Sequence, residues 1–371
     1  MSRRVLITGG AGFIGSHLAD ELLLNGYEVR ILDCLSLQVH VDGEVPDYLN
    51  PEAEFIRADV RDAQQVLQAL SDVDAVVHLA AAVGVGQSMY EISHYTSVNN
   101  LGTAVLLEAL SERSVERLVV ASSMSIYGEG AYADSKGGLQ KVEERPLSQL
   151  RAGQWEIQGS NGSPIRPVPT PESKTPVPSS VYALSKYDQE RLCLVVGGAY
   201  GIESVALRLF NVYGPRQALS NPYTGVMAIF ASRYLNGVPP LIYEDGLQRR
   251  DFVNVHDVAR AFRLALEAPK APGQVLNIAS GQSVTVREIA ERMASVLGCR
   301  DIEPQITGNY RTGDIRHCFA DITRAREVLG YEPKVHFEDG LAELAKWLEG
   351  QVAIDSSDAA SSELREKGLL V

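Results

Sequence analysis

The 371-residue sequence has few cysteines and no long hydrophobic run. Its cysteines, Cys34, Cys193, Cys299 and Cys318, never stand at the C-x-x-C spacing of a metal site. We therefore expect free thiols and a reducing, cytoplasmic setting. No apolar stretch approaches the roughly 18 residues that span a bilayer. The chain starts with Met1-Ser2-Arg3-Arg4 and a predicted strand, without the apolar core of a signal peptide.

Positive charge is also scarce, because 34 basic residues face 47 acidic ones and the formal net charge is -13. No basic stretch stands out, so we expect neither nucleic acid nor an anionic membrane surface as a partner. An acidic chain can still bind a diphosphate through helix N-termini and a few arginines. Hydrophobic residues make up 45% of the chain, which is enough for a sizeable core.

Short apolar runs alternate with longer amphipathic ones in the first half of the chain. This pattern is typical of a parallel sheet that is covered by helices on both faces. We predict an α/β fold: a Rossmann-type doubly wound parallel sheet with a smaller C-terminal α/β domain that binds substrate. The predicted strands of the sheet are Val5–Ile7, Glu28–Leu32, Phe55–Ala58, Ala75–Leu79, Arg117–Ser122 and Val205–Leu209.

The predicted domains are not continuous in sequence. The Rossmann domain comprises residues 1–212, with 248–270 returning to it, and the second domain comprises 213–247 and 271–350. Glycine and proline are frequent in residues 129–178, which predicts an inserted lobe with little regular structure. Residues 351–371 are polar and predict a weakly ordered tail.

A glycine-rich run, TGGAGFIG (8–15), joins the first strand to the first helix. Gly9, Gly12 and Gly15 allow a tight turn and let backbone N–H groups approach a pyrophosphate at the positive end of the helix. The position between strand and helix makes this signal specific. Phe13 and Ile14, at the start of the helix, belong to the same predicted cofactor site.

Asp33 ends the second predicted strand. A carboxylate there accepts hydrogen bonds from a ribose diol and repels a 2′-phosphate, which favours NAD over NADP. The alternative is an ordinary turn with an exposed aspartate. Asp59 and Val60 are candidates for contact with the adenine, although Asp59 as a helix cap is an alternative.

The fourth predicted strand ends in His78-Leu79-Ala80-Ala81-Ala82. Small side chains at the carboxyl end of a strand let a ligand lie close to the backbone, so Leu79, Ala80 and Ala81 join the predicted NAD site. We expect His78 to be structural. Asn99, on the following helix, is expected to brace the backbone of the active site.

Tyr182 and Lys186 are four residues apart and therefore share one face of a helix. A free tyrosine has a pKa of about 10, but a nearby ammonium and the positive charge of the nicotinamide favour the phenolate. Such a tyrosine can act as acid and base at an alcohol carbon. Ser122 and Ser123 end a predicted strand at the edge of the sheet that binds ligands. The alternative for Tyr182 and Lys186 is an exposed helix pair.

Together these features resemble the extended short-chain dehydrogenase/reductase family, in particular its NAD-dependent nucleotide-sugar epimerases and dehydratases. The resemblance extends over roughly residues 3–349. It implies NAD as cofactor, a dTDP- or UDP-linked sugar as substrate, and Ser123, Tyr182 and Lys186 as catalytic residues. Its motifs are TGGAGFIG (8–15), HLAA (78–81), SSMSIYG (122–128), YALSK (182–186), RLFNVYGPR (208–216), RRDFVNVHDVA (249–259) and RTGDIRH (311–317).

The resemblance also implies a set of substrate contacts, with surface ion pairs as the alternative for each arginine. Asn211 and Arg216 match residues that contact the sugar and the diphosphate. Arg250 matches an arginine that grips the diphosphate with two parallel hydrogen bonds. Arg311 and Asp314 match residues that hold phosphate and ribose. Ser125, beside the catalytic serine, completes the predicted set.

Enzymes of this family begin alike, with proton removal from the sugar 4-hydroxyl and hydride transfer from carbon 4 to NAD. The 4,6-dehydratases carry Asp-Glu directly after the catalytic Ser/Thr, where this chain has Met124 and Ser125. A 4-epimerase needs no further group, so the resemblance implies an isomerase. A 4-keto-sugar reductase that consumes NADPH is disfavoured by Asp33. A non-enzymatic dinucleotide sensor is disfavoured by the complete catalytic set.

Three segments resemble those of bacterial dTDP-L-rhamnose 4-epimerases: QLRAGQWE (149–156), PIRPVPTPE (164–172) and SSELREKGLL (361–370). They imply conversion of dTDP-L-rhamnose to dTDP-6-deoxy-L-talose, with a UDP- or GDP-hexose 4-epimerase as the alternative. The insertion in that group often has cysteines that can form a metal knuckle. The matching stretch 159–162 has none, so no metal is implied.

Members of the family usually dimerise by packing two helices of each subunit into a four-helix bundle, which predicts a homodimer. The helices after Asn99 and from Tyr182 are the candidates. Leu192, Val195 and Val196 offer an apolar face, although packing within one subunit explains them equally well.

Overall fold

The computed structural model describes residues 3–159, 162–163, 165–218, 225–311, 314–349 and 357–370. Ser160 and Asn161 of the stretch 159–162, and Thr312 and Gly313 of the RTGDIRH motif, lie outside the described residues.

The described residues form strands and helices in alternation through the first half of the chain. The strands are β1 (Arg4–Thr8), β2 (Glu28–Asp33), β3 (Glu54–Arg57), β4 (Ala75–His78), β5 (Arg117–Ser123), β6 (Ala131–Ala133), β7 (Leu139–Gln140), β8 (Arg166–Val168), β9 (Glu203–Leu209), β10 (Asn211–Tyr213), β11 (Leu241–Ile242), β12 (Arg249–Arg250), β13 (Phe252–Asn254), β14 (Val275–Ile278), β15 (Val284–Thr285), β16 (Gln305–Ile306) and β17 (His317–Cys318). The α-helices are α1 (Phe13–Leu24), α2 (Ala63–Ala69), α3 (Val85–Ser88), α4 (Ile92–Tyr95), α5 (Gly102–Glu112), α6 (Leu147–Arg151), α7 (Val181–Tyr200), α8 (Val226–Leu235), α9 (Val255–Glu267), α10 (Val286–Val296), α11 (Thr323–Leu329), α12 (Phe337–Leu348) and α13 (Ser357–Glu366). A π-helix spans Thr96–Leu101, and a 3-10 turn spans Met124–Tyr127.

A seven-stranded parallel sheet, in the order β14-β9-β5-β4-β1-β2-β3, forms the larger part of the fold. The order reverses between β1 and β4, the place where such sheets bind ligands beyond the carboxyl ends of their strands. Helices α1 and α9 pack on one face of the sheet, and α2, α5 and α7 pack on the other. The predicted doubly wound Rossmann-type α/β fold is confirmed.

Local sequence signals fix the helices that matter most for the site. Helix α1 begins at Phe13 because Gly12 is its extended N-cap, four residues earlier than the apolar pattern from His17 suggests. Helix α7 begins after Ser180, whose hydroxyl accepts the N–H of Ala183, and it ends at Gly201 in the left-handed conformation. Both helix starts therefore lie at the ligand-binding edge of the sheet.

One strand corrects the predicted division of the chain. Val275–Ile278 was expected in the second domain, but it pairs in parallel with β9 and extends the large sheet. Leu276 and Ile278 are fully buried in this position. Burial of these apolar side chains stabilises the strand in the large sheet.

A smaller α/β part follows the large sheet. Helices α8, α10 and α12 enclose a separate core that includes Phe230, Ile289 and Leu341. Strand β10 pairs with β13, and β12 lies between β15 and β17. Of the helices in the described residues, none combines the length and the apolarity needed to span a bilayer.

The inserted lobe 129–178 has more regular structure than predicted. Strands β7, β6 and β8 form a small antiparallel sheet, and α6 lies between β7 and β8 in the chain. The lobe is tied to the second part of the fold by Arg316, which is fully buried and pairs with Glu156 of the lobe at 2.6 Å. Arg316 also pairs with Glu244 and Asp245, at 2.9 and 2.7 Å. The ion pair between Arg316 and Glu156 fixes the lobe to the second part of the fold, so the lobe does not need a large hydrophobic core of its own.

Residues 357–370 of the polar tail have more regular structure than predicted. Within it, α13 packs against α3, and Leu364 is 4% exposed. A Cβ on Gly86 would lie 3.2 Å from Leu364 Cδ2, so the tail packs directly on the bare face of this glycine. Tyr90 donates a hydrogen bond of 2.9 Å to Glu363. The backbone of Leu370 then forms a β-bridge with Arg311, so the tail connects the two parts of the fold.

We expect Leu364→Ala to release the tail, because the substitution removes most of the buried apolar area that holds α13. The measurement is limited trypsin digestion at Arg365 and Lys367. We expect the docked tail to lose more than about 1.4 kcal/mol of stability, which makes cleavage roughly tenfold faster because the undocked state becomes more populated. Exposed Leu24, at 84% exposure, provides the control, and Leu24→Ala should leave the cleavage rate unchanged. Equal cleavage rates in all three proteins would contradict the docking of the tail.

Candidate active site

The glycine turn between β1 and α1 is shaped to hold a diphosphate. Gly9 has φ +71°, and a Cβ there would lie 2.8 Å from the Ala80 nitrogen. A Cβ on Gly15 would collide with the carbonyl oxygen of Gly9. A Cβ on Gly12 would meet only Gly9 O, at 3.5 Å, so this side of the turn is open at the positive end of α1. The backbone therefore fits the pyrophosphate of a dinucleotide.

Asp33, at the end of β2, lies beside this turn. Its two carboxylate oxygens accept the N–H groups of Ala11, at 3.0 Å, and Leu35, at 2.9 Å. Asp59, at the end of the next strand, pairs with Arg61 at 2.6 Å, and the hydrogen bond from Arg61 lowers its pKa. The cap of α2 is Asp62, not Asp59. Asp59 thus remains a candidate for the adenine end, beside the buried Val60.

Polar side chains hold the end of β4 and the backbone that follows. His78 is buried and lies 2.7 Å from Thr8 Oγ1 and 2.9 Å from Thr103 Oγ1. Burial lowers its pKa to about 3, so the ring is neutral. Leu79, Ala80 and Ala81 follow it without large side chains in the turn.

Asn99 braces the same turn from the π-helix. Its Oδ1 accepts the Ala82 N–H at 2.7 Å, and its Nδ2 donates to Ala82 O at 3.1 Å and to Ser185 Oγ at 2.8 Å. Single-turn π-helices often occur at functional sites. Asn99 therefore links the NAD side of the cleft to α7.

Ser123 and Tyr182 meet at the carboxyl edge of the sheet. Ser123 Oγ accepts from the N–H of Ser125 at 3.2 Å and from its hydroxyl at 2.8 Å. Tyr182 lies in the first turn of α7, and its N–H donates to Ser88 Oγ at 3.0 Å. Burial raises the pKa of Tyr182, while a hydrogen bond with Ser123 opposes this rise. The phenolate is expected to be favoured by Lys186 together with the nicotinamide charge of bound NAD, and this stays a prediction.

Lys186 follows one turn later on α7. It is 4% exposed, and its ammonium donates to Gln189 Oε1 at 2.7 Å. Burial lowers the pKa of Lys186 to about 8. Sequence reasoning missed Gln189, although a polar residue three positions after Lys186 on a buried helix face was a usable signal.

A buried group of charged residues contacts Ser122, the residue before Ser123. Ser122 donates to Glu190 at 2.7 Å, and Glu190 pairs with Arg208 of β9 at 2.7 Å. Arg208 also donates to the Tyr127 hydroxyl at 2.8 Å. Buried charges are tolerated only when they are paired in this way. Sequence reasoning missed the Glu190–Arg208 pair, which fixes β5 against α7.

A cavity of about 230 Å³ in the second part of the fold brings together four of the predicted substrate contacts: Asn211, Arg250, Arg311 and Asp314. Arg250 donates to the carbonyl oxygens of Ile315 and Arg316, at 2.5 and 2.9 Å.

The Arg311 guanidinium lies over the ring of Tyr243, 4.7 Å from its centre. Among the described residues, no group donates to the buried oxygens Asn211 Oδ1 and Gln248 Oε1. Both oxygens suit a ligand with N–H or O–H donors, and Gln248 is a further residue that sequence reasoning missed.

Arg216 is not among the residues that line this cavity, so its predicted contact with the substrate stays a prediction. It has φ +66° and pairs with Asp20 of α1 at 2.7 Å. Its guanidinium also lies 5.4 Å from the ring centre of Tyr48. The ion pair with α1 aims Arg216 at the cofactor side of the fold.

A second cavity, of about 310 Å³, lies between the lobe and the main body. It shares Asp314 and Ile315 with the first cavity and reaches Tyr127, four residues after Ser123. The lobe contributes Val142, Leu147 and Leu150 to its wall. The lobe therefore lines a cavity next to the one that holds Asn211, Arg250 and Arg311.

The fold and the site define a class of protein: a dinucleotide-binding enzyme with a serine, tyrosine and lysine set of the extended short-chain dehydrogenase/reductase type. The model of the "NAD dependent epimerase/dehydratase family" matches residues 5–151 and 156–279. The chain belongs to this family, and it is an NAD-dependent enzyme of the nucleotide-sugar epimerase type.

Three relatives place the chain within this family. It is 36% identical over 352 residues to a dTDP-L-rhamnose 4-epimerase of Burkholderia thailandensis, with 93% of this chain and 95% of the relative covered. It resembles the solved UDP-glucose 4-epimerase of Thermotoga maritima with UDP-glucose, at 34% identity and a TM-score of 0.77, covering 93% and 98% of the two chains. The UDP-glucose 4-epimerase of Thermus thermophilus in complex with NAD gives 33% identity and a TM-score of 0.74, covering 94% and 100%.

Proposed function

We propose that this enzyme interconverts dTDP-L-rhamnose and dTDP-6-deoxy-L-talose, a step of deoxysugar biosynthesis. The observation that carries the proposal is the full-length similarity to a dTDP-L-rhamnose 4-epimerase, which includes the lobe. The lobe lines the neighbouring cavity with apolar residues (Val142, Leu147 and Leu150) and charged residues (Glu143, Glu144 and Arg145).

In the proposed reaction, Tyr182 takes the proton of the sugar 4-hydroxyl, and Ser123 donates a hydrogen bond to the oxygen that becomes a carbonyl. NAD, held by the glycine turn (Gly9, Gly12 and Gly15) and Asp33, would supply the hydride acceptor at carbon 4 and the hydride donor to the opposite face. Tyr182 then returns its proton to the 4-oxygen, so the net change is inversion at carbon 4. Lys186 keeps positive charge near Tyr182, and the glycine turn with Asp33 orients the dinucleotide.

Asn211, Arg250, Arg311 and Asp314 are proposed to hold the nucleoside diphosphate in the cavity of the second part of the fold. Gly9, Gly12 and Gly15 are proposed to hold the cofactor at the sheet edge. Met124 and Ser125 stand where a dehydratase needs its acid and base, so water elimination is not proposed.

A UDP-hexose 4-epimerase is the second candidate, because solved structures similar in fold include UDP-glucose 4-epimerases. The two candidates separate when the purified enzyme is given dTDP-L-rhamnose, UDP-glucose and a GDP-hexose in turn, without added cofactor. We expect kcat/KM for dTDP-L-rhamnose to exceed the others by about 100-fold or more. A larger kcat/KM for UDP-glucose would overturn the substrate assignment and leave the chemistry intact.

We also propose a cytoplasmic homodimer. Leu101, Leu184 and Val195 expose 53%, 51% and 59% of their surface on neighbouring helices, while Leu192 and Val196 pack on the core of the subunit. Exposed apolar residues grouped in this way mark association surfaces. We expect light scattering to give twice the 40.3 kDa of one chain, and a monomer at micromolar concentration would contradict the proposal.

A further inference from the structure

We propose that Gln189 is a positioning residue that holds the ammonium of Lys186 in place and ties it to the turn that binds the cofactor. This inference rests on the proposed role of Lys186. It starts from the hydrogen bond of 2.7 Å between Lys186 Nζ and Gln189 Oε1, at a site where Gln189 is only 1% exposed.

The orientation of the Gln189 amide follows from its neighbours. An ammonium can only donate, so the amide oxygen must face Lys186. The amide nitrogen then faces Thr103 Oγ1 at 2.8 Å and Ala80 O at 3.3 Å, and both can accept. Gln189 is thus held at both ends, and Ala80 belongs to the turn after β4.

The surrounding side chains form a buried hydrogen-bond network. The Thr103 hydroxyl donates to Asn99 O at 2.6 Å, so its oxygen can accept from Gln189 Nε2. His78 Nε2 lies 2.9 Å from Thr103 Oγ1 and 3.2 Å from Gln189 Nε2, and His78 Nδ1 lies 2.7 Å from Thr8 Oγ1. This network restricts the position of Gln189.

This arrangement has a consequence for Lys186. The carbonyl oxygen of Gln189 stabilises the charged ammonium, which burial destabilises. One of the three N–H donors of Lys186 is fixed by Gln189, which leaves two for the tyrosine side and for the cofactor ribose. A hydrophobic residue at position 189 would leave the lysine side chain without this anchor.

Other charged or titratable groups also face Lys186 and set the background for the test. Glu190 and Cys193, on α7, raise the pKa of Lys186. His78, on β4, is held neutral by burial, with its pKa lowered to about 3, and does not titrate between pH 6 and 10. Tyr182 lies one turn away on α7. Of these residues, His78 also contacts Gln189, with 3.2 Å between the two Nε2 atoms, so a substitution at position 189 changes its surroundings.

The test compares Gln189→Met, which keeps the length but removes the acceptor, with Gln189→Glu, which restores an acceptor. Lysine labelled with ¹³C at its ε-carbon gives the titration midpoint of Lys186 in the NAD-loaded enzyme, with Lys186→Met identifying its signal. We expect the Gln189→Met midpoint to fall by about one pH unit and the Gln189→Glu midpoint to rise.

The alkaline limb of the pH profile of kcat should shift to lower pH in Gln189→Met and to higher pH in Gln189→Glu, as the midpoint does. In Gln189→Met, kcat should fall roughly tenfold while KM changes less than about twofold. Val196→Ala, further along the same helix, is the control and should change neither the midpoint nor the limb.

Unchanged midpoints in both Gln189 variants would overturn the proposal. So would a loss of kcat in Gln189→Met without any shift, because a merely structural role produces that result. The titration does not need turnover, so it remains decisive if the enzyme acts on none of the sugars tested. A wild-type enzyme that isomerises no nucleotide sugar would instead refute the proposed function and leave the titration result standing.

Discussion

Tyr182→Phe should lower kcat on the order of 10³-fold or more, because the substitution removes the one hydroxyl placed to take the proton of the substrate. The ring is retained, and so is the N–H of residue 182 that donates to Ser88. We therefore expect folding and NAD content to stay at the wild-type level. Isomer formation is measured by anion-exchange chromatography, and NAD by its release from denatured enzyme.

Tyr187→Phe is the matched control, since Tyr187 lies five residues later on the same helix and packs against a small core cluster. It should keep more than about half of the wild-type kcat, as substitutions away from the reacting groups usually do. If Tyr182→Phe retained more than about a tenth of the wild-type kcat, Tyr182 would not be the acid–base residue.

Arg316→Met should have the largest effect on stability. Arg316 has no exposed surface. Glu244, which is 3% exposed, pairs with both Arg316 and Arg145, so the substitution leaves it with Arg145 alone. Removing one member of a buried ion group costs about 3–5 kcal/mol, because an uncompensated charge remains. The free energy of unfolding from urea titration measures this loss.

Arg326→Met is the control for this variant, because Arg326 pairs with Glu332 at 3.1 Å on the surface. Exposed pairs contribute about 1 kcal/mol or less, so the control should differ little from the wild type. If the two variants lost equal stability, the ionic anchor of the lobe would not be a stabilising feature of the fold.

Much of the large sheet could be predicted from sequence because the signals are local. Apolar runs at strand length, glycines between β1 and α1, and Asp33 at the end of β2 each follow from a few neighbouring residues. Tyr182 and Lys186 were predictable for the same reason, since a spacing of four places them on one helix face.

Features that depend on distant contacts were not predictable. Arg216 lies in a motif, but its ion pair with Asp20, 196 residues away, decides where it points. The tail looks polar in sequence, yet Leu364 and Leu370 are buried because α3 and Arg311 offer them a surface. Burial, which raises the pKa of Tyr182, depends on the whole fold and could not be predicted from the spacing of Tyr182 and Lys186.

We propose that the enzyme inverts carbon 4 by removing a hydride from the sugar and returning it within one site. Incubation with dTDP-L-rhamnose in ²H₂O, without added NAD, tests this proposal most directly. We expect an isomer of unchanged mass that retains the original hydrogen at carbon 4, with no net formation of NADH. Deuterium at carbon 4 would indicate inversion by proton exchange with solvent and would contradict transient oxidation at carbon 4.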